Sequence, residues 1–149
     1  YQQAARKGRP DAQEQVALFY TEGIGGVVRD YRQAVFWLKR AAQQGNLNAE
    51  ANLIWLLATC PDDRVRDGRE AVLMAMDLIA RKGVREANDF DNLAAAYAEV
   101  GDFRNAQLYQ RQALALLNEE QEPERYKRFQ HRLKLYESGK QFRDAGHAY

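Results

Sequence analysis

Three stretches of the chain, "QQAARKG", "KRAAQQG" and "DLIARKG", end at Gly8, Gly45 and Gly83, spaced 37 and 38 residues apart. Self-similarity at a period of 20–50 residues marks stacked supersecondary units, each of which buries its apolar face only against a neighbour. Each stretch reads as a helix end. Lys or Arg lies in or near the last turn, where it suits the helix dipole. A glycine follows, where the backbone leaves the helix. The first stretch stands at the very start of the sequence, so the chain is expected to begin inside a longer array.

Apolar residues between the glycines recur at helical spacing. Val16, Phe19, Tyr20 and Ile24 form one stripe, and Tyr31, Ala34, Val35, Leu38, Ala41 and Ala42 a second. Leu53, Ile54, Leu57 and Ala58 form a third, and Ala71, Met74, Ala75, Leu78 and Ile79 a fourth. Leu93, Ala94, Tyr97 and Ala98 precede Phe103, Ala106, Tyr109, Ala113, Leu114 and Leu117. The breakers "EGIGGVVRD", "TCPDDRVRDG" and "EVGDF" separate them. Helices are predicted near 11–23, 31–44, 48–59, 68–82, 87–100, 103–118 and 123–138, with residues 1–7 ending an earlier one. No stretch alternates as a strand does. Ala17, Ala34, Ala41, Ala94, Ala106 and Ala113 are predicted where helices approach closely, since a larger side chain there would hold them apart.

"AQEQVALFYTEGIGGVVRDYRQAVFWLKRAAQQG", Ala12 to Gly45, resembles a Sel-one-like repeat through Tyr20, Gly23, Val27, Asp30, Ala34, Trp37, Ala41, Ala42 and Gly45. Val16-Ala17 stands where that pattern has leucine-glycine, and the "GIGGVV" loop carries one extra residue. "FDNLAAAYAEVGDFRNAQLYQRQAL" resembles a tetratricopeptide repeat through Phe90, Leu93, Ala94, Tyr97, Gly101, Phe103, Ala106 and Ala113. Gln110 departs where an aromatic is usual, and Asn118 replaces the usual proline. "LIWLLATCPDDRVRDGREAVLMAMDLI" looks like a divergent repeat of the same type with a lengthened inner loop. The resemblance implies an all-α fold, a right-handed superhelical array of antiparallel helix pairs. Residues 1–8 would end a preceding repeat. Three repeats would follow at 9–45, 46–83 and 86–118, then a polar capping helix at 122–138 and a tail at 139–149.

Little in the sequence points to catalysis. His131 and His147 have no histidine partner at metal-binding spacing. A single cysteine, Cys60, makes neither a disulfide nor a zinc site, and at a helix end before Pro61 it reads as a packed thiol. "EGIGG" follows no strand and lacks a phosphate-loop lysine, and the carboxylates form no recognisable catalytic pair. Neither metal nor cofactor is expected. Lys and Arg total 22 against 21 Asp and Glu, a balance that gives no electrostatic reason for nucleic acid as a partner. No run reaches the roughly 18–20 apolar residues of a membrane span. The charged loop "PDDRVRDGRE" reads mostly as solvated, with Asp67 as the cap of the helix starting near Gly68.

The resemblance implies a protein-interaction scaffold or adaptor of the bacterial cytoplasm or envelope, binding a peptide or partner domain in a concave groove. The groove-facing positions it implies are Glu14, Gln15, Leu18 and Thr21, then Ala51, Asn52, Trp55 and Thr59, then Asp91, Asn92, Ala95 and Glu99. This set is small, polar or acidic, and Glu14 and Asp91 would repel a C-terminal carboxylate. Gln15, Asn52 and Asn92 suit a peptide backbone, and Trp55 either anchors the ligand or packs between repeats. Two alternatives stand beside this reading. One is a spacer that self-associates through an N-terminal edge at Tyr1, Ala4 and Ala5. The other is a regulatory appendage of an enzyme.

Overall fold

A computed structural model describes residues 2–22 and 29–144, apart from the side chains of Gln2, Ala4, Phe19 and Glu22. Its helices are α1 (Gln2–Arg6), α2 (Pro10–Glu22), α3 (Tyr31–Gln43), α4 (Leu47–Thr59), α5 (Gly68–Arg81), α6 (Ala87–Glu99), α7 (Phe103–Ala115) and α8 (Pro123–Glu137). There is no strand among the described residues. Each helix packs on the next, and α4 also packs on α6. Short connections leave consecutive helices little choice but to run antiparallel. The result is a TPR-like helical solenoid. The α4–α6 contact is the one that stacks successive pairs.

The turns carry their own start signals. Asp30 accepts from the N–H groups of Arg32 and Gln33 at 3.0 and 3.2 Å. Asn46 accepts from Ala49 N–H, Asp67 from Glu70 N–H and Asp102 from Asn105 N–H, at 3.0–3.1 Å. Each bond satisfies an amide that the helix itself leaves open. Gly8 and Gly45 take positive φ after α1 and α3, as the repeated helix-end pattern predicts, and Gly101 and Gly139 do the same after α6 and α8. Gly83 does not. The chain leaves α5 through Lys82 in extended conformation, φ −77° and ψ 136°. Lys82 Nζ holds both carboxylate oxygens of Asp89 at 2.9 Å, and Asp89 also accepts from Glu86 N–H at 2.8 Å. A left-handed glycine is therefore not needed at that turn. α7 ends at Ala115, short of the expected 118.

The alanines sit where helices meet. Ala34, Ala41, Ala94, Ala106 and Ala113 are 0 % exposed and Ala17 is 1 %. One core runs through α1 to α6, with Leu53, Ile54 and Leu57 of α4 at its centre. A second joins Ala94, Ala98 and Ala106 to Tyr136 of α8, and a third joins Ala87 and Ala113 to Phe129. Tyr109 of α7 lies parallel between Phe90 and Tyr97 of α6, with ring centroids 6.2 and 5.6 Å apart. Gln110, the departure from an aromatic, is fully buried. Its amide donates to Asp91 Oδ1 and to the Phe129 carbonyl, both at 3.0 Å, and so ties α6, α7 and α8 together. Cys60 is fully buried, and burial pushes its thiol pKa up, which favours the protonated form of a packed residue. Ala5 is buried against α2, where Gln13 Nε2 donates to its carbonyl at 3.0 Å. Tyr1, the side chain of Ala4 and the "GIGGVV" loop lie outside the described residues.

Two substitutions test this packing. Ala106→Leu forces four-carbon bulk into the α6–α7 contact and is expected to lower the unfolding free energy by about 1–3 kcal/mol in urea titration. Gln110→Leu keeps the volume but strips two buried acceptors of their donor. Its expected cost is about 1–3 kcal/mol, read from the same titration. An unchanged midpoint in either case would contradict the packing described.

Candidate concave binding channel

The first helix of each pair, α2, α4 and α6, contributes to one channel, and α8 closes its far end. Two cavities lie along it. The first, of 160 Å³, is lined by Leu18 and Thr21 of α2, Tyr31 and Leu38 of α3, Asn52, Trp55, Leu56 and Thr59 of α4, and Asp144. The second, of 280 Å³, is lined by Ala51, Asn52 and Trp55 of α4, by Asn88, Asp91 and Asn92 of α6, and by Arg125, Arg128, Phe129 and Arg132 of α8. Asn52 and Trp55 border both, so the indole stands as the wall between them.

The predicted groove residues divide into three groups. Leu18, Thr21, Asn52, Trp55 and Thr59 come together around the first cavity. Thr21 and Thr59 spend their hydroxyls on the carbonyls of Ala17 and Trp55, at 2.9 and 2.7 Å, and so present methyl groups and backbone instead. Ala51, Asp91 and Asn92 reach the second cavity, but Asp91 and Asn92 are themselves buried, and Ala95 is buried as well. Glu14, Gln15 and Glu99 line neither. Glu14 accepts from Asn46 and Asn52, both at 3.3 Å. Gln15 is exposed to solvent. Glu99 is held in ion pairs by Arg66 at 3.1 Å and Arg143 at 2.7 Å. α5 starts directly against it, since a Cβ on Gly68 would meet Glu99 Cγ at 2.8 Å.

The electrostatics differ from the expected small, polar and acidic lining. Arg125, Arg128, Phe129 and Arg132 recur at i, i+3, i+4 and i+7, which is one face of a helix, and that face of α8 looks into the channel. The spacing is readable in the sequence, but a polar capping helix carries no local signal of where its arginines point. Arg132 is 3 % exposed and pairs with Asp91 at 3.5 Å. Its guanidinium lies 4.9 Å from the centroids of both Trp55 and Phe142 and 5.3 Å from that of Phe129. Burial raises the Asp91 carboxyl above the ordinary carboxylate range, opposed by the Arg132 charge and the Gln110 hydrogen bond. Asp91 is thus committed to the protein interior, and its charge does not face a ligand as bare acid.

Residues 139–149, a tail by sequence, carry no motif that points to a role. Phe142 packs on Trp55, with ring centroids 5.7 Å apart. Trp55 Nε1 donates to Asp144 Oδ2 at 2.7 Å, and Asp144 N–H donates to the Thr59 carbonyl at 2.9 Å. The described part of the tail therefore lies in the channel. A further cavity of 290 Å³ lies beside the charged inner loop, lined by Arg32 and Lys39 of α3, by Arg64 to Asp67 and by Glu70. His131 is exposed on α8. Among the described residues no group of three or more His, Cys, Asp or Glu is placed to hold a metal, and no helix is long and apolar enough to cross a membrane.

Residues 10–46 match the Sel1 repeat family model. The match spans α2, α3 and the turn that caps α4. No curated protein and no solved structure matches the chain. Sel1 repeats are in general non-catalytic modules of protein–protein interaction. With the Sel1 match on its first complete helix pair and helices stacked in the same manner beyond it, the chain is similar to helical-repeat proteins of the Sel1 and TPR-like kind.

Proposed function

We propose that this chain is a scaffold without catalysis of its own, which holds an extended peptide or a partner's segment in the channel between α2, α4, α6 and α8. On this reading residues 9–45, 46–83 and 86–118 are three stacked repeats, and 122–138 is both the closing helix and one wall of the site. The observation that carries it is Trp55, a half-buried indole bordering two cavities, with an apolar face toward one and arginines toward the other. Binding energy concentrates on such aromatic and arginine anchors at the centre of a concave patch. The channel's hydrogen-bonding groups, Asn52 and the end carbonyl of α4, suit a polypeptide backbone.

Capture experiments on the native chain and on a Trp55→Ala, Leu18→Ser variant test this. A partner held by the native chain is expected to fall at least about tenfold with the variant, the loss typical of a central aromatic anchor. It should persist with Leu73→Ser, which alters an exposed leucine of α5. Equal retention by all three chains would move the site to the loops or the outer face. Capture of nothing but the chain itself would favour the spacer reading.

A further inference from the structure

After α8 the backbone turns at Gly139, and Lys140 N–H returns to the Leu135 carbonyl at 2.9 Å. The next residues cross the channel. Phe142 fills a slot made by Trp55 and the Arg132 guanidinium. Arg143 turns the other way, to Glu99 at 2.7 Å. Asp144 comes back to Trp55 through the indole N–H, and its own amide meets the Thr59 carbonyl. Successive side chains that point to opposite sides are the habit of an extended chain. The Thr59 carbonyl belongs to the last turn of α4, where no intrahelical donor remains, so an incoming backbone amide is its natural partner. Three consecutive residues are thereby read by an aromatic slot, an acid, an indole donor and a backbone acceptor.

We infer that residues 142–144 are a tethered stand-in for the partner, which carries an aromatic–basic–acidic triplet in extended form and must displace the tail to bind. The inference rests on the channel being the binding surface. The Arg143 pair is part-exposed and weakened by solvent, and the 160 Å³ cavity beside Asp144 remains unfilled by described residues. A partner that continues past the acidic position with an apolar side chain gains contacts with Leu18 and Leu56 that the described tail lacks. A tethered competitor lowers the apparent affinity by the fraction of molecules in which the channel is open.

The test uses the whole chain and a fluorescein-labelled peptide with the sequence of residues 139–146, read by fluorescence anisotropy. A Phe142→Ala, Asp144→Ala chain is expected to bind the peptide at least about tenfold more tightly than the native chain, because its channel is vacated. A peptide with the triplet reversed should bind at least about tenfold more weakly to the same chain, one anchor being lost. Adding Trp55→Ala should abolish binding. If the double variant loses helical circular dichroism, Arg143→Glu, which sets repulsion in place of the Glu99 pair, weakens the hold on the tail and must still raise the affinity for the peptide. Equal affinity of native and released chains, or no binding to the released chain, would overturn the proposal. Equal binding of both peptides with Trp55 still required would overturn the triplet and leave the channel standing. Binding indifferent to Trp55 would overturn the channel reading as well.

Discussion

Ala94, Ala98 and Ala106 offer only a methyl group where α6 meets α7 and α8, and Ala17, Ala34 and Ala41 do the same nearer the start of the chain. Everything else follows from this close approach. Helices that come near enough to exclude larger side chains leave their bulky residues to interlock at the margins, as Tyr109 does between Phe90 and Tyr97. Each pair then has a second face to bury against the next pair, and stability accrues between neighbours. The same stacking lines up α2, α4 and α6 along one side. A channel is therefore a consequence of the packing rather than an addition to it.

The far end of the channel depends on polar groups that are fully committed. Gln110 links Asp91 to the Phe129 carbonyl, and Arg132 neutralises Asp91 while lying against Trp55 and Phe142. Breaking a buried pair of this kind by removing one partner costs about 3–5 kcal/mol, because the other charge is left behind. Arg132 thus holds α8 to α6 and at the same time shapes the slot that the tail occupies. The same side chain thus contributes to the packing of α8 and to the shape of the slot.

The helices were legible because periodicity, breakers and caps agreed: Asp67 and the small-residue stripe are where the sequence puts them. Gly83 was misleading because a glycine after a basic helix end has two uses, and only the Lys82–Asp89 contact selects the extended one. The channel was half legible. Leu18, Thr21, Asn52, Trp55 and Thr59 converge because helix register alone fixes their direction. Asp91 and Asn92 were expected to face a ligand, and burial beneath α8 was invisible without knowing that α8 folds over α6. The arginine face of α8 and the docking of Phe142 and Asp144 arise from contacts between residues far apart in sequence, up to 89 positions for Trp55 and Asp144. No local pattern encodes such a pair.

The most direct measurement is the indole N–H resonance of Trp55 in a proton–nitrogen correlation spectrum of the native chain and of Asp144→Ala. A bond to a carboxylate at 2.7 Å deshields that proton. The account predicts that the Trp55 signal moves upfield and exchanges faster with solvent in the variant, while the signal of Trp37, 7 % exposed and with no described bond to Asp144, stays in place. An unmoved Trp55 signal would contradict the docking of the tail in the channel, and with it the account of what the channel reads.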